Sequence, residues 1–337
     1  MSGSSAVTLL DVARAAGVSR TTASAAIAQT GRVSDQTRQH VLRIADSLGY
    51  APNIWARKLR QDRVLSIGLY MPDQVFGRAY YMDFAFGAAE GSHDQGVSLI
   101  LLARGIEPDD PAMHLLDGVI LVDPLDDDPV ARSLLGGKLP VVTGEYGPRD
   151  LPEPAGVVVT DHQGAVYQLF DHLVDQGALR PALIAPGTNS HWGRAIRTGY
   201  ANWCAERGRT PLSVQVEFDS TPGDVERASA ELLDGATPPD AIVSAPDAAA
   251  VGAVAAVRAR GLEVGNDVLI ASYVDSILMQ LSTPPITGVD LRPRSLGRSC
   301  AEMLLDVLAS ERKDAPLLSE LPTELNIRAS STHGSSG

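Results

Sequence analysis

The sequence predicts a small all-α helix-turn-helix headpiece with a hinge helix behind it, followed by a two-lobed α/β body. Three observations carry that prediction. Short helical periods crowd the first 50 residues, each opened by a hydroxyl residue. A Pro52-Asn53 break then precedes a basic segment. From residue 63 onward, apolar β-branched runs alternate with helical stretches in two successive sets, the pattern of doubly wound parallel sheets. At 337 residues the chain has room for two or three domains, at roughly 100–200 residues each. The boundaries read as 1–50 for the headpiece, 51–62 for the hinge helix, 63–329 for the body and 330–337 for a small, polar, disordered tail.

In the headpiece, Thr8 and Asp11 form a capping pair for a first helix, and Val12, Ala13 and Ala16 give it an apolar face. Gly17 ends that helix, Val18 turns inward and Ser19 caps a second helix that begins at Arg20. Two helices joined by so short a turn form a helix-turn-helix. In that motif the start of the second helix faces base edges in the major groove, which here presents Arg20, Thr21, Thr22 and Ser24. Arg20 suits a bidentate guanine contact. Thr22 and Ser24 read equally well as phosphate contacts or caps. Ser34 opens a third helix with Val41, Ile44, Ala45 and Leu48 on one face, and Arg32 and Arg38 flank its start as phosphate contacts. Asn53 caps a fourth segment, too short to be a stable helix alone and expected to fold only when DNA and a second copy hold it.

Charge is divided accordingly. The whole chain carries −13, yet residues 1–63 hold nine Lys and Arg against four acids, leaving 19 basic against 37 acidic residues in the remainder. A basic headpiece on an acidic body binds phosphates at one end while the other repels them.

The run T-L-x-D-V-A-x-x-A-G-V-S-x-x-T-x-S, then R-V-S-x-x-T-R-x-x-V, then L-G-Y-x-P-N-x-x-A-R-x-L-R resembles the headpiece of the lactose-repressor (LacI/GalR) family of bacterial transcription regulators. The resemblance implies a homodimer on a pseudo-palindromic double-stranded DNA operator, with paired hinge helices in the minor groove. Leu59 falls on the family's wedging leucine and Ala56 on its small companion. Ala25 and Ala28 stand where most relatives carry Arg and Asn, so the operator is not to be copied from them, and Trp55 is bulkier than the usual hinge residue.

In the body, the runs 64–72, 96–103, 118–124 and 140–146 read as strands of one lobe, and 180–186, 212–218, 239–246, 267–273 and 285–291 as strands of a second. Ligands of such sheets sit in a cleft outside the strand C-termini. The resemblance extends loosely to the end of the chain and implies a type I periplasmic-binding-protein-like fold of two lobes joined by three crossovers. It carries a small-molecule effector site onto Asp247, Asp275, Glu145 and either Arg194 or Arg197, although Pro246 replaces an Asn and Val274 an acid of the family pattern. Trp192 and Tyr80 are candidates to stack on an effector, and Asp73, just past the first strand, to line the cleft. The family precedent is carbohydrate. With Val274 in place of an acid, a less hydroxylated, aromatic or phosphorylated effector is also open, as is a cleft with no natural ligand.

Other classes fare worse. No P-loop, dinucleotide fingerprint, nucleophile elbow or metal-spaced His pair is present, so the sequence predicts no enzyme, cofactor or metal. A solute-binding protein would share the body but has no use for a basic headpiece. Cys204 and Cys300 read as buried thiols. No segment suits a membrane span or signal peptide, which predicts a cytoplasmic, nucleoid-associated protein. The tail lacks the leucine heptads of a four-chain bundle, which favours a dimer.

Overall fold

The structure is a computed structural model that describes residues 9–27, 33–48, 65–75, 78–102, 105–187, 189–309 and 316–332. It divides into two compact units, one of residues up to Val64 together with Asp306–Lys313, the other of Leu65–Leu305 together with the residues from Asp314 on. The hinge helix expected over 51–62, with Asn53, Trp55, Ala56 and Leu59, lies outside the described residues, as do Thr8, Ala28 and Arg32.

The first unit holds helices α1 (Leu9–Ala15), α2 (Arg20–Ile27) and α3 (Asp35–Ser47). Gly17 takes φ 64°, a left-handed turn that a side chain would resist, and so permits the sharp α1–α2 corner. Val12, Ala13, Ala16, Ala23, Ala26, Ile27, Val41 and Ala45 close a miniature core, with Val18, Val33, Leu42 and Ile44 packed against it. Most of these side chains are small, so the helices approach closely. Leu48, expected on the same face as Val41, is instead 38% exposed, because α3 ends one residue earlier.

The second unit contains two six-stranded sheets. The first has order β11-β5-β4-β3-β1-β2 and is parallel throughout. Its strands are β1 (Ser66–Tyr70), β2 (Ser98–Leu101), β3 (Gly118–Val122), β4 (Val141–Gly144), β5 (Gly156–Thr160) and β11 (Leu317–Leu321). The second has order β12-β10-β9-β8-β6-β7, parallel except for the edge strand β12. It is built from β6 (Pro181–Pro186), β7 (Ser213–Val216), β8 (Ala241–Ser244), β9 (Leu269–Ser272), β10 (Thr287–Asp290) and β12 (Glu324–Asn326). The central strands are buried end to end, as strands covered on both faces must be.

The first lobe adds α4 (Ala79–Asp94) and α5 (Pro129–Leu135), and the second adds α6 (His162–Asp175), α7 (His191–Glu206), α8 (Pro222–Leu233), α9 (Ala250–Ala259) and α10 (Ile277–Leu281). Helix α11 (Pro293–Ala309) returns to the first lobe and packs so tightly on α4 that a Cβ on Gly87 or Gly297 would collide with the Arg294 or Phe84 carbonyl. The chain therefore crosses between lobes three times, after β5, after β10 and between β11 and β12.

Two sequence expectations need correction. The tail was placed from residue 330, but Ser330 and Ser331 are fully buried. Ser330 Oγ donates to the Ile270 carbonyl and accepts from the Thr287 amide, while Ser331 Oγ bonds His172 Nε2 at 2.7 Å. The body thus extends at least to Thr332. The Pro-flanked run Asp126-Asp127-Asp128 reads in the sequence as a solvated loop, and Asp127 is exposed, but Asp128 caps α5 and accepts from the Tyr70 hydroxyl, and Asp126 pairs with Arg194 at 2.5 Å.

Candidate functional site

Each unit carries a candidate site. In the headpiece, Ser19 Oγ accepts from the Thr22 amide and stands 2.8 Å from Thr22 Oγ1, so one hydroxyl pair caps α2. That cap occupies Thr22 and also reaches Thr21, whose Oγ1 accepts from Ser19 Oγ at 3.3 Å, while Arg20 and Thr21 stay exposed on the first turn. Ser24 is half-buried on the next turn. Ser34 repeats the device at α3, accepting from the Thr37 amide. Arg38 is half-buried beside it, with Nη1 buried and unpartnered among the described residues. A guanidinium nitrogen held without an acceptor suits a phosphate oxygen brought from outside.

In the body, the residues that gather are those just past strand C-termini. A cavity of about 30 Å³ is lined by Arg78, Tyr80, Tyr81, Asp123, His162, Trp192, Phe218, Asp247, Val274 and Leu291. Asp123 follows β3, Phe218 follows β7, Asp247 follows β8 and Val274 follows β9, while His162 and Leu291 lie on crossovers. This is the crevice that an open α/β sheet leaves where strand order reverses. The volume is room for about one water-sized group.

Four non-glycine residues of the body adopt left-handed backbone, namely Asp123, Glu145, Ala248 and Arg292. Such conformations cost roughly 1–2 kcal/mol each and persist where surrounding structure over-determines them. All four lie at this crevice or in a crossover beside it, which marks the region as built for placement and not for stability.

The polar floor is a connected set. The Tyr81 hydroxyl donates to Asp123 Oδ2 at 2.6 Å. Burial, then the charge of Glu145, pushes the Asp123 carboxyl up to about 7. Glu145 Oε1 accepts from the Thr160 amide at 3.1 Å and stands 3.1 Å from His162 Nε2. That approach is an ion pair and not an aligned hydrogen bond. His162 Nδ1 bonds the Tyr273 hydroxyl at 2.8 Å. Burial alone would neutralise both partners, but their mutual attraction outweighs it, so His162 titrates above its ordinary range and Glu145 below. His191, 4.0 Å from Glu145, is instead pulled down to about 4 by burial.

Asp247 is 8% exposed, and its Oδ2 accepts a long 3.4 Å bond from the Tyr80 amide. Its Oδ1 is buried without a partner among the described residues, as is Trp192 Nε1. Burial raises the Asp247 carboxyl. Arg78, from the first lobe, gives Nη1 to the Asp247 carbonyl and Nη2 to those of Asp219 and Ser220, all in the second lobe. The rings of Trp192 and Phe218 lie 5.7 Å apart, those of Tyr80 and Tyr81 5.1 Å apart.

Of the body residues singled out from the sequence, Tyr80, Trp192 and Asp247 line the cavity, and Glu145 lies behind it against His162. Four do not line it. Asp275 is consumed by a bidentate pair with Arg328 and a bond from Asn326 Nδ2. Asp73 accepts from the Gly105 amide with both oxygens and so ties the segment after β1 to the segment after β2. Arg194 is held by Asp126. Arg197 is half-buried on α7, with Nη1 unpartnered among the described residues, away from the cavity lining. Tyr81, Asp123, His162 and Phe218 were not anticipated. The strand-end rule that selected Asp73 would also have selected Asp123 and Phe218. Among the described residues no cluster of three or more His, Cys, Asp or Glu could hold a metal, and no helix is long and apolar enough to cross a membrane.

Comparison with known proteins bears on the fold of both units. Residues 8–53 match the family described as bacterial regulatory proteins, lacI family, and residues 170–331 match a periplasmic binding protein-like domain. The chain is 31% identical over 336 residues to the HTH-type transcriptional regulator CelR of Thermobifida fusca, covering 96% of this chain and 98% of that one. It is 29% identical to the regulator DegA of Bacillus subtilis, over 86% of this chain and 88% of the relative. A solved CelR-cellobiose complex superposes with a TM-score of 0.71 at 29% identity, covering 96% and 99% of the two chains. The lac repressor dimer bound to operator, at 24% identity and a TM-score of 0.69 over 97% and 99%, shares the fold.

Proposed function

Because the chain belongs to the LacI family of bacterial transcriptional regulators, we propose that it is a ligand-responsive repressor that reads an operator with α2 and senses a small molecule in the crevice between its lobes. One observation carries the reading. A Ser19-capped helix presenting Arg20 and Thr21 shares a chain with a buried crevice whose Asp247 and Trp192 hold unpartnered polar atoms. The first serves DNA, the second an effector.

The homodimer belongs to the same proposal. A pseudo-palindromic operator needs two headpieces, and Ile277, Leu278 and Leu281 on α10 present an exposed apolar stripe that suits a second copy. A cytoplasmic, nucleoid-associated location follows from the DNA partner. The effector acts only if its affinity differs between the DNA-bound and released states. Shifting lobe closure, it would act on the segment 51–62 and on the seating of Leu59 in the minor groove.

The relatives favour carbohydrate utilisation as the regulated process, since a CelR structure contains cellobiose. A non-sugar metabolite is favoured by one feature of the cavity wall, Val274 where the family pattern has an acid.

Selection of duplexes from a random pool by the full-length protein tests the DNA reading, and recovery of an inverted repeat is expected. Failure to retain any duplex at low salt would remove it. A small-molecule screen against that operator complex tests the effector reading. Leu59→Ala should weaken operator binding at least tenfold with an unchanged circular dichroism spectrum, and unchanged affinity sinks the hinge role.

A further inference from the structure

The charge and ring content of the crevice select among effector classes. Within the reading of the crevice as an effector site, we propose that the effector carries an ammonium group beside a hydroxyl oxygen, as amino sugars and amino alcohols do, and that Asp247 receives that ammonium. Three observations converge on a cation.

The first is the state of the acids. Asp123 and Asp247, 4% and 8% exposed, both face the cavity, and Asp247 Oδ1 has no partner among the described residues. A carboxylate oxygen buried without a donor is expensive, and a ligand that brings both a donor and the opposite charge returns more of that cost than a neutral hydroxyl does.

The second is the state of the cations. Arg78 is the guanidinium at the cavity, and it is spent on the backbone carbonyls of Asp219, Ser220 and Asp247. His162 is spent on Glu145 and Tyr273. Arg78 has three of its five N–H groups committed to carbonyls and its charge set beside Asp247, and the His162 charge is balanced by Glu145, so a phosphorylated or carboxylated effector would meet two buried acids and no cation that lacks an acidic neighbour. The phosphorylated class left open by the sequence is thereby disfavoured.

The third is the wall. Tyr80, Tyr81, Trp192 and Phe218 surround the acids with aromatic rings, whose faces attract cations, and such rings around a carboxylate are a recurrent way to hold an ammonium. The cavity of about 30 Å³ accepts a group of that size. The remainder of the molecule requires the lobes to part, a motion the three crossovers permit. Trp192 Nε1, buried without an acceptor among the described residues, is the counterpart for a hydroxyl oxygen next to the ammonium. A neutral sugar satisfies Trp192 and can donate to Asp247 but brings the acids no opposite charge. A simple alkylamine does the reverse.

The test uses probes matched except that an ammonium replaces a hydroxyl, titrated into the full-length protein by calorimetry. D-glucosamine and ethanolamine are the amines, D-glucose and ethylene glycol their neutral counterparts, and glucose 6-phosphate the anion. At least one amine is expected to bind tenfold or more tightly than its neutral partner, with no binding of the phosphate. Asp247→Asn should erase that tenfold preference, and circular dichroism on the same variant checks that it remains folded. Trp192→Phe should weaken the hydroxylated amine and keep its preference over the neutral partner. Neutral probes binding as tightly as amines, a preference that survives Asp247→Asn, or a panel in which no amine binds would each overturn the proposal. The effector reading itself stands or falls on the operator-release screen, so the two fail by different results.

Discussion

Asp123 couples the crevice to pH. Its carboxyl is displaced upward by burial first and by Glu145 second, to about 7. Since the folded-state value lies above the unfolded one, its contribution to stability is fully present below roughly pH 4 and is lost as the pH rises through about 7. Asp123→Asn keeps an oxygen for the Tyr81 hydroxyl and removes the titration. The variant should therefore be more stable than the parent at pH 8, by at most ~4 kcal/mol, and lose that advantage by about pH 4. Thermal unfolding at the two pH values checks it, and a difference independent of pH contradicts it. Asp247 and Asp275 looked alike in the sequence as acids near strand ends. They separate because Arg328 lies 53 positions from Asp275 in the chain yet binds both its oxygens, a pairing that no local pattern exposes. Arg194 was misjudged for the same reason, since Asp126 is 68 positions away. Asp275→Ala should cost about 3–5 kcal/mol in urea unfolding, because it leaves a partly buried guanidinium uncompensated. A loss below about 1 kcal/mol would return Asp275 to the candidate list.

At the scale of elements, strands and helices were legible wherever apolar periodicity was strong. All nine runs read as strands contain a strand of the structure, since buried β-branched runs bounded by Gly and Pro have few other uses. β5 and β11 have no run of their own in that reading. β5 is a short GVVVT stretch leading straight into a helix and reads only as part of the crossover, while β11 (LLSEL) pairs at a sheet edge with Leu317, Leu318 and Glu320 exposed and so lacks the uniform apolar signal of its neighbours. Composition misled again at the C-terminus. Ser330 and Ser331 belong to a small polar run, but their hydroxyls are satisfied by Ile270, Thr287 and His172. Polarity marks disorder only when no tertiary partner waits for it. Ending the chain after Arg328 strips the Thr287 amide and His172 of their buried partners and should lower stability by about 2–4 kcal/mol, at roughly 1 kcal/mol or more per lost bond. Denaturant midpoints of the shortened and full chains decide it.

For the whole molecule, the uneven division of charge makes a statement that a net value of −13 conceals. A surplus of base in the first 63 residues should give operator binding a steep salt dependence, because each phosphate neutralised releases a counterion. Arg20 and Arg38 then part company. Arg38, in the first turns of α3 with a nitrogen buried and unpartnered among the described residues, is the residue proposed to orient the headpiece on a phosphate. Arg20, exposed on the first turn of α2, is the one proposed to read a base. Arg38→Ala should weaken all duplexes about equally and reduce the slope of log K against log salt by about 1 per headpiece. Arg20→Ala should change the slope less and cost about 1–3 kcal/mol per headpiece on the selected operator, with little loss on unrelated DNA. Its effect is the larger for Ala25, which leaves a position without a polar reach, and for Thr22, whose hydroxyl is engaged with Ser19. Binding isotherms for both variants across a salt series, on operator and on scrambled duplex, separate the two roles. Equal losses on both duplexes for Arg20→Ala would assign it to the backbone, and the sequence preference would then rest on Thr21 and on the hinge.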